Sequence, residues 1–146
     1  MMDFISFTVW GSPVPEQKKI VRPKGLDYPI VKRLKAVEQW IQDVKVQALA
    51  YKPAQMFMDG VILYMAGALP RPKSHPKTKE KPHLTKPDWD NLAKTSSEAL
   101  AGIFYPNDSY VVKGTFEKRY CKIGEAPHVR FTITDLSSIG KDTENA

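Results

Sequence analysis

The chain has 146 residues, of which 42% are hydrophobic and 26% charged, a composition typical of a globular protein that can bury a core. No apolar run approaches the roughly 20 residues of a membrane-spanning helix, and one cysteine, Cys121, excludes an intramolecular disulfide and a multi-cysteine zinc site. The 22 lysines and arginines exceed the 16 acids, and the net charge of +6 favours a polyanionic partner such as nucleic acid.

The N-terminal segment has a strand pattern followed by a loop pattern. In residues 4–10, Ile5, Phe7 and Val9 fall on one face and alternate with Ser6, Thr8 and Trp10 on the other. This alternation predicts a β-strand. Residues 11–29 contain four prolines and several basic side chains. Because proline lacks the backbone donor that regular pairing needs, an irregular loop is predicted there.

A helix and a second strand are predicted next. The helix covers about residues 32–51 and ends before Pro53. Its apolar stripe recurs at three- and four-residue spacing and consists of Leu34, Val37, Ile41, Val44 and Ala48. Residues 57–68 then read as a well-buried strand.

Residues 69–87, LPRPKSHPKTKEKPHLTKP, form the most unusual segment. They contain five prolines, five lysines and one arginine, which is incompatible with regular structure and predicts a mobile basic loop. Such a loop either binds a polyanion or is a solvated excursion without a partner. His75 and His83 lie in this loop without a pattern typical of metal ligands, and both are expected to be solvated.

The C-terminal half resumes regular patterns. A helix is predicted over residues 90–100 with Asp90 as its N-cap, followed by a turn at 105–109. Strands are predicted over 110–120 and 128–134.

The predicted fold class is therefore α+β, with a mixed β-sheet of about four to five strands covered by two main helices. Residues 1–136 are predicted to form a single domain, and residues 137–146 a polar, disordered tail.

Two aspartates flank a tryptophan at the start of the second helix, in the stretch KPDWDNLAK. Asp88 and Asp90 precede Lys94, which helical spacing places on the same face as Asp90. Asp108 follows in the turn after the helix and can approach the pair if the sheet folds suitably. Three converging carboxylates would bind Mg²⁺ or Mn²⁺, and a neighbouring lysine would suit phosphodiester hydrolysis.

The same residues also have a purely structural interpretation. Aspartate at a helix start interacts favourably with the helix dipole, and Asp90 with Lys94 would be an ordinary surface pair. Asp108 would be a common turn residue. Trp89, between the two acids, is expected to be a core anchor.

The segment from Lys86 to Tyr120, KPDWDNLAKTSSEALAGIFYPNDSYVVKGTFEKRY, resembles the RusA family of Holliday junction resolvases. The family pattern is close to D-x-D-N-L-x-K. It continues with an acid and the pair A-L, then an aromatic and apolar patch, and then D-D and a β-strand. Residues 9–19, VWGSPVPEQKK, are similar to the G-x-P-x-P start of the family.

This resemblance implies a small homodimeric endonuclease of bacteria and phages or prophages. It implies Mg²⁺ or Mn²⁺ dependence and cleavage of four-way junctions by paired symmetric nicks, in DNA recombination and repair or phage DNA processing. Asp88 and Asp90 would be metal-binding catalytic acids, Lys94 the catalytic lysine, and Asp108 the acid that completes the metal site. Asn107 stands where the family pattern has the first acid of D-D. Glu98 is interpreted as a partner of Lys94.

Basic side chains outside the motif are predicted to bind DNA through its phosphates. The residues predicted for this role are Lys18, Lys19, Arg71, Lys73, Lys77, Lys79, Lys81 and Lys86. The expected partners are branched DNA and a second copy of the chain, without a membrane or a small-molecule cofactor. The N-terminus lacks signal-peptide features, so a cytoplasmic location is expected.

Three other interpretations remain compatible with the sequence. A basic nucleic-acid-binding protein without catalysis would use the acids only as caps and would need no divalent metal. A nuclease of the same fold could act on flaps, forks or RNA with the same residues. A purely structural protein would show no salt-sensitive DNA binding.

Overall fold

A computed structural model describes residues 3–75 and 81–137 as a mixed sheet, a small ribbon and two helices. In chain order, the elements are β1 (Phe4–Trp10), β2 (Lys18–Val21), β3 (Ile30–Arg33), α1 (Lys35–Ala48), β4 (Val61–Leu69), α2 (Trp89–Glu98), β5 (Val111–Tyr120) and β6 (His128–Asp135). Short 3₁₀ turns occur at Leu49–Tyr51 and Asp108–Tyr110. The predicted α+β class with a mixed sheet and two helices is confirmed.

The main sheet has the strand order β1-β6-β4-β5. β6 pairs antiparallel with β1 and β4, whereas β4 and β5 are parallel. A parallel pair requires a crossover connection, and α2 lies within it. This topology brings α2 next to β5 and positions the DWDNLAK motif beside the sheet.

Both helices contribute to one core on a single face of the sheet. α1 buries Val37, Trp40 and Ile41, and the core-facing side of β1 buries Phe7 and Val9, as their alternation predicts. The indole nitrogen of Trp40 donates a hydrogen bond of 3.1 Å to the Ser96 hydroxyl, joining the two helices. Burial of these apolar side chains is the main stabilising contribution to the fold.

Close packing between β4 and β5 depends on a glycine. A Cβ on Gly67 would lie 2.8 Å from Cζ of Phe116, which is closer than real contacts allow. The absent side chain lets the buried Phe116 ring cross β4.

The prediction of an irregular loop over residues 11–29 is wrong in part. β2 and β3 form an antiparallel ribbon in which Lys18 faces Arg33 and Val21 faces Ile30. α1 therefore begins at Lys35, later than predicted, because residues 30–33 pair as a strand. Most side chains of the ribbon are exposed, so no apolar alternation marks it in the sequence.

Parts of the predicted loop and tail lie outside the described residues. These parts are residues 76–80 of the basic loop and residues 138–146 of the tail. The extent of a single domain over 1–136 stays a prediction. None of the helices in the described ranges is long and apolar enough to cross a membrane.

Candidate functional site

The DWDNLAK motif forms the first two turns of α2. The helix begins at Trp89, so Asp88 is its N-cap residue and Asp90 lies within the first turn. The prediction that Asp90 is the N-cap is therefore wrong. Asp88 has the extended backbone of a cap, but its side chain makes no capping hydrogen bond. Its Oδ2 instead accepts a hydrogen bond of 2.9 Å from Nζ of Lys86.

Asp90, Lys94 and Asp108 line one cleft between α2 and the β4–β5 pair. The cleft has a volume of about 340 Å³. Its other lining residues are Leu63, Met65, Trp89, Ala93, Ser97, Val111 and Gly114. Asp90 and Lys94, both described, form no ion pair with each other. The ordinary surface pair that the structural interpretation predicts between them is therefore not observed.

Asp108 starts a 3₁₀ turn that Asn107 caps. Oδ1 of Asn107 accepts a hydrogen bond of 3.0 Å from the backbone N–H of Ser109 and another from the Ser109 hydroxyl. Buried Tyr105 lies beneath this turn, and burial, followed by the charge of Asp108, raises its pKa. Asn107 thus uses its side-chain oxygen to hold the turn.

A charged network lies behind Lys94. Arg33 donates hydrogen bonds to Glu16, the Nε bond to Oε1 being 2.9 Å, and its NH2 group donates to Oε2 of Glu98 at 2.6 Å. The hydrogen bonds from Arg33 lower the pKa of Glu16, and the charge of Lys94 lowers it further. The interpretation of Glu98 as the partner of Lys94 is therefore wrong, because Glu98 pairs with Arg33.

The segment before β2 runs along α2 and fixes it from the outside. The Thr95 hydroxyl donates to the main-chain oxygen of Val14 at 2.7 Å, and the N–H of Glu16 donates to that of Asn91 at 3.2 Å. The proline-rich G-x-P-x-P stretch is therefore in direct contact with the helix that carries Asp90 and Lys94.

The predicted metal ligands meet only in part. Within residues 3–75 and 81–137, no three side chains of the acidic, histidine or cysteine type form a group that could hold a metal ion. Asp90 and Asp108 share the cleft, whereas Asp88 is paired with Lys86. Carboxylate oxygens are the donors that Mg²⁺ and Mn²⁺ prefer, so the residues fit a hard cation in kind.

Comparison with known proteins identifies the family of this chain. A family model described as endodeoxyribonuclease RusA matches residues 11–134. The chain belongs to the RusA family. It is also 31% identical over 149 residues to an uncharacterized protein of Bacillus subtilis (strain 168), YqaN, covering 94% of this chain and 100% of that protein. RusA is an endodeoxyribonuclease family, so membership supports a nuclease, a hydrolase that acts on DNA.

The basic residues predicted to bind DNA lie at several places in this RusA protein. Lys18 and Lys19 are exposed on β2. Arg71 and Lys81 line a hollow together with Arg119, Tyr120 and Lys122. Lys73 lines a neighbouring hollow. Lys86 is exposed and pairs with Asp88. Lys77 and Lys79 lie outside the described residues.

The sequence predicts that both loop histidines are solvated, but each of them contacts an aromatic ring. The ring of His83 stacks on Tyr120 with 4.2 Å between centroids, and the ring of His75 meets Tyr120 edge-on at 4.6 Å. His83 is only 7% exposed, and its Nδ1 has no hydrogen-bond partner in the described part of the chain. Burial lowers its pKa. Aromatic packing thus attaches the end of the basic loop to β5.

Lys118 is a residue of the site region that sequence reasoning missed. Its Nζ donates hydrogen bonds to the main-chain oxygens of Thr85 at 2.8 Å and Pro87 at 2.9 Å. It thereby holds the segment that enters α2, directly before Asp88. A lysine within a strand carries no local signal for this role, because its partners lie more than 30 residues away in the chain.

Trp89 is exposed rather than a core anchor, contrary to the sequence prediction. Its residue surface is 56% exposed, and it lines the cleft beside Asp90. The core beneath the helix start is filled by Leu92 instead.

Proposed function

We propose that this protein is a divalent-metal-dependent endonuclease that resolves four-way DNA junctions by paired symmetric nicks. The observation that carries the proposal is the shared cleft of Asp90, Lys94 and Asp108 in a chain of the RusA family. A basic protein with two acids and a lysine in one cleft has the groups needed for phosphodiester hydrolysis.

The catalytic residues in this proposal are Asp88, Asp90, Lys94 and Asp108. Asp90 and Asp108 would hold Mg²⁺ or Mn²⁺, and Asp88 would join them after leaving Lys86. The bound metal would polarise the phosphate and supply an activated water. The shared cleft supports the roles of Asp90 and Asp108, and the exposed position of Asp88 leaves its carboxylate accessible.

Lys94 has the task of stabilising negative charge on the phosphate. A cation beside the reacting phosphate stabilises the negative charge that develops there. Glu16 lies near enough for the charge of Lys94 to contribute to the lowering of its pKa. Arg33 holds Glu16 in place through its side-chain hydrogen bonds.

The proposed substrate is branched DNA held by a homodimer. Two copies related by a two-fold axis would present two clefts to opposing strands of a four-way junction. The exposed lysines of β2 and the basic residues around Tyr120 would bind phosphates of the arms, without reading sequence. Such an enzyme would act in DNA recombination and repair or in phage DNA processing.

The test is cleavage of a synthetic four-way junction in Mg²⁺ and in EDTA, with a linear duplex of the same sequence. Wild type should give paired symmetric nicks in the junction only with metal, and Asp90→Asn should abolish them. Asp43→Asn is the matched control, because Asp43 lies on α1 and an asparagine keeps the acceptor that Gln39 uses. Junction binding without nicks in any metal would instead favour the non-catalytic binding protein, and faster cleavage of flaps or forks would change the substrate.

A further inference from the structure

The cleft beside the acids has an apolar floor. Leu63 and Met65 of β4 are buried beneath it, and Ala93 and Val111 form its sides. A phosphate gains nothing from apolar contact, because its favourable interactions are with donors and cations. The floor therefore suits an apolar part of a nucleotide, whereas Lys94 suits its phosphate.

Trp89 forms the wall of this cleft in an exposed position. Trp40 is 2% exposed and hydrogen-bonded to Ser96, and Trp10 is 59% exposed with its ring 5.2 Å from that of His128. Trp89 is 56% exposed, and no ring partner or side-chain hydrogen bond occurs for it among residues 3–75 and 81–137. A bare indole next to catalytic carboxylates provides a stacking surface for a base.

Gly114 keeps the cleft open. A Cβ built on it would meet only Cγ1 of Val111, at an ordinary 3.6 Å. Neither the backbone nor close packing of the described residues therefore requires glycine at this position, unlike Gly67. A longer side chain at Gly114 would project into the space between β5 and α2 that the cleft occupies.

We propose that this cleft receives the nucleobase next to the scissile phosphate, stacked on Trp89 over the floor of Leu63 and Met65. The inference rests on the proposed nuclease function and deepens it. The volume of about 340 Å³ is at the lower end of the range of roughly 300–1,000 Å³ for sites that hold small organic groups. The occupant is a base because the same cleft also carries Asp90, Lys94 and Asp108, the groups proposed to act on the adjacent phosphate.

This arrangement provides a physical basis for selecting branched DNA. A base can enter the cleft only after it leaves its neighbours in the stack, and this step is easiest where pairing is already disturbed. The arms of a four-way junction can unstack from one another at the branch point, whereas a linear duplex is stacked throughout. The cleft would thus discriminate between the two before any bond is broken.

The direct test uses the fluorescence of Trp89 in EDTA, where no cleavage occurs. The emission of wild type minus that of Trp89→Phe reports this indole alone. Junction DNA should quench this signal strongly and linear duplex weakly, and a junction with abasic nucleotides at the branch point should not quench it. Trp10→Phe is the matched control, because it removes an equally exposed indole outside the cleft and should leave the quenching unchanged.

Binding affinities provide the second measurement. Trp89→Ala should raise the junction Kd about tenfold, the usual order for loss of one stacked base. It should change the duplex Kd by less than about twofold, because phosphate contacts dominate duplex binding. Gly114→Leu should abolish the quenching by filling the cleft, and Gly114→Ala should reduce it less. Circular dichroism and the melting temperature establish that each variant is folded.

Several results would overturn the inference. These are equal quenching by linear duplex, an unchanged junction Kd for Trp89→Ala, and quenching that survives in folded Gly114→Leu. Conversion of Trp89→Ala to a monomer in sedimentation, with junction and duplex Kd changed equally, would assign the indole to a contact between two copies instead. The quenching is measured without metal, so it is independent of cleavage. Quenching in a protein that never nicks DNA would support the base cleft and contradict the proposed nuclease activity.

Discussion

Arg33 and Glu98 are 65 residues apart in the chain, and a hydrogen bond of 2.6 Å between their side chains ties the β2–β3 ribbon to the end of α2. The same guanidinium holds Glu16, whose side chain is only 9% exposed. One arginine thus connects the ribbon, the proline-rich segment and the helix that carries Asp90 and Lys94.

Replacement of Arg33 should loosen this connection. Arg33→Ala leaves the carboxylate of Glu16 without its main partner, so the free energy of unfolding should fall by about 1.5–3 kcal/mol, the range for hydrogen bonds to charged groups. Urea denaturation measures this change. Glu98→Gln is the matched control and should have a smaller effect, because Glu98 is more exposed and Glu16 keeps its partner. An equal loss for both variants would contradict the central role of Glu16.

Replacement of Lys94 should reduce turnover more than binding. Lys94→Met removes the cation that stabilises charge on the phosphate, and kcat for junction cleavage should fall about 10²–10³-fold. The KM should change little, because many other basic residues hold the DNA. Single-turnover cleavage and binding assays separate the two effects. Lys45→Met removes an exposed lysine of α1 and should leave kcat unaltered. An equal loss of kcat in that variant would assign the effect of Lys94→Met to the lower net charge of the protein.

Replacement of Asn107 should affect the turn that positions Asp108. Asn107→Ala removes the acceptor for Ser109, so stability should fall by about 1 kcal/mol and junction cleavage should weaken. Asn107→Asp and Asn107→Ser retain a capping oxygen and should preserve the fold of the turn. Thermal unfolding and cleavage rates test these expectations. If Asn107→Ala cleaves DNA at the wild-type rate, the cap does not position Asp108.

The stability of the fold should depend on pH through His83. Burial, with smaller contributions from the charges of Lys118 and His75, holds its pKa below the usual 6.5. The unfolded chain therefore binds the proton first, and stability present above pH 6.5 is lost as the pH falls below that value. Urea unfolding at a series of pH values measures this loss.

His83→Phe provides the control for that measurement. It keeps a ring against Tyr120 and removes the unpaired Nδ1, so the loss of stability just below pH 6.5 should disappear. Glu125, whose pKa Arg119 lowers to about 2, should still cause a loss at lower pH in both proteins, starting below 4.5. An unchanged profile in His83→Phe would assign the first loss to another group.

Sequence patterns predicted the regular elements whose burial alternates along the chain. Phe7 and Val9 in β1 and Phe131 and Ile133 in β6 are buried as their period of two predicts, and the stripe of α1 faces the core. The motif itself also predicted a helix with Asp90 and Lys94 on one face. These features depend on interactions between near neighbours in the chain, which is why local patterns reveal them.

The long-range pairings were decided only by the tertiary structure. The β2–β3 ribbon exposes most of its side chains, so its pairing left no apolar signal. Glu98 turned to Arg33 rather than to Lys94, because β3 passes the end of α2. Trp89 was left exposed because Leu92 fills the core below it.

The sequence by itself determined which residues could form the site: the acids, the lysine and their spacing on one helix. Only the tertiary structure decided that Asp108 joins Asp90 and Lys94 in one cleft. The physical reason is that helix spacing follows from local backbone geometry, whereas the return of β5 beside α2 depends on its parallel pairing with β4 across the whole crossover.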